Sequence, residues 1–81
     1  MTHPSIDGRT FGPVDATIDR VIYDRGFGFV TVDELGKDIF FHETALDGSL
    51  DFKALVRGSQ VTVEYQNSAK GLRAVRVSAR R

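Results

Sequence analysis

The chain has 81 residues, 41% of them hydrophobic and 27% charged, a composition typical of one small globular domain. A domain of this size buries about 60% of its unfolded surface, which leaves little room for an enclosed active site. The absence of cysteine excludes disulfides and thiolate metal sites, and no apolar run approaches the length of a membrane span. Because the N-terminal residues lack the segments of a signal peptide, we expect a cytoplasmic location.

The charges are unevenly distributed, although the 11 basic and 11 acidic residues cancel. Residues 51–81 contain seven basic and two acidic residues, a balance of plus five, and the first fifty residues carry the compensating minus five. A neutral chain is not expected to attract polyanions non-specifically. Binding to a nucleic acid would therefore depend on where the individual basic side chains lie.

Residues 1–13 contain two prolines, two glycines and few apolar positions, which predicts a flexible N-terminal leader. We expect the folded domain to span residues 14–79 and residues 80–81 to form a frayed, basic C-terminal end. The first strand should lie within residues 16–23, which are rich in β-branched side chains. Neither set of alternate positions in this segment is cleanly apolar, which favours a β-bulge.

The segment Arg25–Val30 reads Arg-Gly-Phe-Gly-Phe-Val and carries the most informative pattern in the chain. In a strand over residues 27–32, Phe27 and Phe29 share one face because side chains alternate. Val30 belongs to the opposite face, so we predict that both rings lie outside the core.

A second aromatic strand is predicted over Asp38–His42. Ile39 and Phe41 share its apolar face and are predicted to enter the core. Phe40 and His42 then face outward, beside the two rings of the preceding strand. Rings displayed on a sheet with a basic residue at the edge suit stacking on unpaired bases.

The remaining segments complete an all-β pattern. Residues 44–53 predict a loop with one short helical turn, residues 60–66 a strand, and residues 72–77 a further strand after a turn. Five short strands without a convincing helix predict a small barrel.

The motifs Arg25–Val30, Asp38–His42 and Phe52–Leu55, followed by a Lys70-Gly71 turn, resemble those of the cold-shock domain family over residues 14–78. The resemblance implies a five-stranded antiparallel barrel of the oligonucleotide-binding type. It also implies binding of single-stranded RNA or DNA with little sequence preference, with a role as an RNA chaperone or expression regulator and no cofactor.

The resemblance also implies the residues of the binding site. The residues that match family positions are Phe27, Phe29, Phe40 and His42 for stacking, Phe52 as a loop aromatic, and Arg25 and Lys70 as basic contacts. Phe52 has the alternative of being buried against the barrel. Lys70 and Arg73 are expected to be solvated unless the basic turn reaches the nucleic acid.

Two departures from the family pattern affect the expected affinity. Where relatives have Lys-Trp-Phe, this chain has Asp19-Arg20-Val21, and Glu43 replaces the aromatic residue expected after the histidine. The two carboxylates should repel phosphates and weaken binding. The guanidinium of Arg20 is predicted to compensate by stacking on a base, with an ion pair to Asp19, Asp24 or Glu43 as the alternative.

An enzymatic function is not expected. The sequence has no Gly-rich phosphate loop with a lysine and only two histidines to act as bases or ligands. The competing hypothesis is a module that uses the same barrel face for protein recognition or self-association. We expect a monomer, because the strands are short and flanked by charges, with weak self-association as the alternative.

Overall fold

The computed structural model describes residues 9–80, which form a closed barrel of five strands. In chain order the strands are β1 (Phe11–Ile22), β2 (Phe27–Val32), β3 (Asp38–His42), β4 (Gln60–Ser68) and β5 (Gly71–Ala79). Around the barrel the order is β1, β2, β3, β5, β4, and β4 pairs with β1 to close it. The pairs are antiparallel except that β3 runs parallel to β5. The predicted all-β barrel is confirmed, with this one pair parallel instead of antiparallel.

Two short 3₁₀ helices occupy the connection between β3 and β4, where the sequence predicted one helical turn. They span Glu43–Ala45 and Phe52–Ala54. A side chain caps the N-terminus of each, His42 in the first and Asp51 in the second. Within residues 9–80, no helix is long and apolar enough to cross a membrane.

Strand β1 begins at Phe11, three residues before the predicted start of the fold at Val14. Phe11 pairs in register with Tyr65 of β4, and the two rings stack with their centroids 5.5 Å apart. This long-range contact extends the strand into the segment that the sequence predicted as a leader. Residues 1–8 of that segment lie outside the described residues.

A β-bulge interrupts β1 at Asp19, which confirms the bulge predicted for this strand. The register with β2 shifts between Ile18 and Arg20. Ile18 is buried before the bulge, and Val21 packs against the core after it, although the two residues have opposite parity. Arg20, between them, therefore faces outward.

A second bulge lies in β5 at Val75, where the register with β4 shifts. Ala74 and Val77 are both buried, and Arg73 and Arg76 are both exposed. Regular alternation puts residues three apart on opposite faces, so the bulge is what leaves both arginines outside the barrel.

Apolar side chains from all five strands fill the barrel interior. Phe41 and Ile39 are completely buried, which confirms the predicted inward face of β3. A Cβ added to Gly28 would lie 2.8 Å from the Phe41 ring and 2.6 Å from the carbonyl oxygen of Arg20. Strand β2 therefore fits over the core only because residue 28 has no side chain. The buried core consists of Ala16, Ile18, Val30, Val32, Ile39, Phe41, Leu55, Val61, Val63, Ala74 and Val77.

Arg80 ties the end of β5 to the neighbouring strands. Its guanidinium donates to the carbonyl oxygen of Ala16 at 2.7 Å and to the carboxylate of Asp33 at 3.1 Å. Arg80 is thus held by acceptors on β1 and on the turn after β2, rather than fraying as the sequence predicted. Arg81 lies outside the described residues.

The loop after the first 3₁₀ helix is tied to β5 through Asp47 and Ser49. The carboxylate of Asp47 accepts hydrogen bonds from the hydroxyl and the backbone N–H of Ser49, the latter at 2.8 Å, and lies 3.5 Å from Arg76. The hydroxyl oxygen of Ser49 in turn accepts from the backbone N–H of Ala79 at 2.9 Å. These donors favour the ionised carboxylate, the Ser49 hydroxyl most, and lower the pKa of Asp47 below its usual 3.8.

Replacing Gly28 by alanine is expected to lower the free energy of unfolding by about 1–3 kcal/mol, because the added methyl group overlaps the Arg20 carbonyl and the Phe41 ring. Urea unfolding measures this loss. Gly48→Ala is the matched control, since nothing lies within 4 Å of a Cβ built at Gly48. Equal stability of the two variants would contradict the close approach of β2 to the core.

Asp47→Asn is expected to lose stability at neutral pH, because a lowered pKa in the folded state means that folding favours the ionised carboxylate. The stability difference between the wild type and the variant should be constant above about pH 5 and shrink below about pH 4, because the unfolded chain then binds a proton at Asp47 more readily than the folded protein does. Urea unfolding across this pH range measures the difference. A stability difference that grew on acidification would show that folding does not lower the pKa of Asp47.

Candidate nucleic-acid interface

Three phenylalanine rings cover the outer side of β2 and β3. Phe29 pairs in register with Phe40, and Phe27 pairs with His42. The ring centroids are separated by 5.4 to 6.1 Å. Each ring is half-buried because the rings cover one another, and none belongs to the barrel core. We call these three rings and His42 the aromatic face.

The imidazole of His42 is oriented by Thr44. Its Nδ1 accepts a hydrogen bond from the backbone N–H of Thr44 at 3.2 Å and lies 3.0 Å from the Thr44 hydroxyl oxygen. Because a backbone N–H only donates, Nδ1 carries no proton in this arrangement and Nε2 carries it. The ring therefore offers a ligand one N–H donor and one flat surface.

Arg20 extends the aromatic face onto β1. Its guanidinium carbon lies 5.0 Å from the centroid of the Phe29 ring, within cation–π range. Within residues 9–80, Arg20 makes no ion pair with Asp19, Asp24 or Glu43. The ion-pair alternative raised from the sequence is therefore not observed.

An open groove of about 470 Å³, here the β1 groove, borders the aromatic face on the side of β1. Its polar rim combines Arg20 and Arg25 with Asp24. Glu43 lies over the turn between β1 and β2, where a Cβ added to Gly26 would be 2.7 Å from the Glu43 Oε2. Arg25 thus lies beside the aromatic face, with acidic groups close to it.

A second groove, here the hairpin groove, has a volume of about 560 Å³ and lies between the aromatic face and the β4–β5 hairpin. Phe29, Phe40 and His42 line it on one side, and Lys70 and Arg73 line it on the other. None of the described residues that line this groove is acidic. The remaining lining residues are Ser68 and Leu72.

The predicted loop aromatic, Phe52, lines neither groove. Its ring packs edge-on against Phe41, with centroids 6.4 Å apart, and against Tyr23, with centroids 5.8 Å apart. The hydroxyl of Tyr23 donates to the carbonyl oxygen of Leu55, just after Phe52 in the chain. Phe52 therefore packs against the barrel core, the second of the two placements that the sequence allowed.

Sequence reasoning did not include Ile22 in the site, and it made a role for Arg73 conditional on whether the basic turn reaches a nucleic acid. Ile22 lines the β1 groove, in register with Phe27. Arg73 lines the hairpin groove, in register with Phe40. Each lies within three residues of a bulge, which shifts the alternation from which a face is predicted. The irregular apolar pattern of β1 and β5 was the available signal.

The site offers flat apolar rings, guanidinium and ammonium groups, and one imidazole N–H. Such groups bind bases by stacking and phosphates by charge. Among residues 9–80, no three histidine, cysteine or carboxylate side chains are grouped so that they could hold a metal ion.

The sequence is similar to known proteins over most of its length, and not only at the side chains of this site. A family model described as the "cold-shock" DNA-binding domain matches residues 14–80. The cold shock-like protein CspA of Shewanella violacea is 46% identical over 56 residues, which cover 69% of this chain and 79% of that protein. The cold shock-like protein CspC of Escherichia coli is 44% identical over 55 residues, 68% of this chain and 78% of that protein. Because the family model matches residues 14–80, which include nearly the whole barrel, the chain belongs to the cold-shock domain family.

Proposed function

We propose that this protein binds single-stranded RNA or DNA on the aromatic face and acts in the cytoplasm as an RNA chaperone or expression regulator. One observation carries the proposal: three rings lie side by side on the outside of adjacent strands, with centroids 5.4 to 6.1 Å apart. The family to which the chain belongs supports it, since cold-shock domain proteins bind nucleic acids.

Stacking supplies most of the affinity in this proposal, because the net charge is zero. Each base stacked on an aromatic side chain contributes about 1–3 kcal/mol. Every base has a flat π-face, so a surface of this kind binds with little sequence preference. The half-burial of the rings against one another favours this role, because it holds them in place before a ligand arrives.

The affinity is proposed to be lower than in relatives that carry Lys-Trp-Phe in the first strand. Asp19 and Glu43 bring negative charge to the β1 side, where it repels phosphates. Arg20 offsets this in part, since its planar guanidinium lies over Phe29 and can stack on a base. The binding mode is retained in this proposal, and its strength is reduced.

Phe29→Ala is expected to weaken the binding of a fluorescent single-stranded oligonucleotide by about 1–3 kcal/mol, because one stacking ring is lost. Fluorescence anisotropy at low salt measures the affinity. Phe29 lies outside the core, so urea unfolding should detect only a small loss of stability. Phe11→Ala is the matched control: it removes a ring that stacks on Tyr65 and lines neither groove.

The opposite pattern is expected for Phe41→Ala, which removes a fully buried ring and should lower the free energy of unfolding by about 3–5 kcal/mol.

The proposed function itself fails if the wild-type protein binds no single-stranded oligonucleotide at low salt. A protein partner on the same face then becomes the leading hypothesis. Salt separates the two, because phosphate contacts weaken steeply as salt rises and an apolar interface does not.

The chaperone role predicts that the protein lowers the melting temperature of a weak RNA hairpin, because capture of transiently unpaired bases shifts the equilibrium toward the open strand. Ultraviolet melting at increasing protein concentration measures the shift, and Phe29→Ala should reduce it. A melting temperature unchanged at saturating protein would remove the chaperone role and leave single-strand binding intact.

A further inference from the structure

The three described arginines of β5 and its end have different surroundings. Arg76 lies 3.5 Å from Asp47, and Arg80 lies 3.1 Å from Asp33, so both are engaged in ion pairs. Arg73 is exposed and makes no ion pair within residues 9–80. One guanidinium on this side of the barrel therefore remains available for a ligand.

Arg73 also lies directly against the aromatic face. It pairs in register with Phe40 across the β3–β5 contact, so both side chains project from the outer side of the barrel. It lines the hairpin groove together with Phe40, His42 and Lys70. A ligand whose base stacks on the rings brings its backbone within reach of two cations there.

The two sides of the aromatic face differ in charge. The β1 groove contains Asp24 beside Arg25, and Glu43 lies over the adjacent turn. The guanidinium of Arg20 on that side is already placed over a ring. The hairpin groove holds two cations and, among the described residues, no carboxylate. A phosphate is therefore attracted more strongly to the hairpin groove than to the β1 groove.

We propose that the backbone of the bound strand passes through the hairpin groove and that Arg73 contacts one of its phosphates. This inference rests on the proposed function and adds a residue and a path to it. The guanidinium presents paired N–H donors that match two oxygens of one phosphate. Lys70, which lines the same groove, adds a second positive charge beside the path.

The test compares Arg73→Gln with Arg76→Gln, two substitutions in one strand that remove the same charge. Arg76 lines neither groove and serves as the control for net charge. The probe is fluorescent oligothymidylate, and its affinity is measured by anisotropy from low to moderate salt. Both arginines are exposed, and urea unfolding verifies that each variant keeps the wild-type fold.

Arg73→Gln is expected to weaken binding roughly threefold to tenfold at low salt and to reduce the slope of log affinity against log salt by about 0.7, the value for one phosphate contact on a single strand. Arg76→Gln should leave the slope unchanged. Equal effects of the two variants, or no effect of either, would overturn the role of Arg73 while wild-type binding upheld the proposed function. If the wild type binds no oligonucleotide, the proposed function and the role of Arg73 both fail.

A second probe separates a phosphate contact from a base contact. An oligothymidylate with uncharged methylphosphonate linkages keeps the bases and removes the charge that Arg73 is proposed to contact. Wild type and Arg73→Gln should bind this probe equally well. A variant that remained weaker on the uncharged probe by the same factor would mean that Arg73 contacts something other than a phosphate.

Discussion

The aromatic face depends on the close approach between Phe41 and Gly28. The Phe41 ring fills the space beneath β2 and leaves no room for a side chain at residue 28. Since side chains alternate along a strand, placing Gly28 over the core also places Phe27 and Phe29 on the outside. Core packing and ligand face are thus linked by one constraint: a slip of β2 by one residue would bury both rings and expose Val30.

The bulges at Asp19 and Val75 determine which arginines flank this face. In β1 the bulge at Asp19 keeps apolar residues inward on both sides of it and leaves Arg20 over Phe29. In β5 the bulge at Val75 leaves Arg73 outside, next to β3. Although the protein has no net charge, Arg20 and Arg73 therefore lie beside the aromatic face.

Strands β2 and β3 were predictable to the residue, because their aromatic and apolar positions alternate without interruption. The start of β1 was not, since Phe11 is held in the sheet by Tyr65, far away in the sequence. The placement of Phe52 likewise depends on a ring in another strand. For the site, alternation identified the rings, whereas the place of Arg73 beside them stayed open, because it depends on the parallel contact between β5 and β3.

The strand order bears on how the chain acquires its structure during synthesis. Strand β5 pairs with both β3 and β4, so the barrel cannot close until residues 71–79 have left the ribosome. Strands β1 to β3 are neighbours in both sequence and space, and they carry the three rings of the ligand face. Until β5 pairs, the edge of β3 is unpaired and the inner side of β2 and β3, with Ile39 and Phe41, is uncovered. Pairing of the β4–β5 hairpin with β3 and β1 protects this edge and this apolar side from contact with other chains.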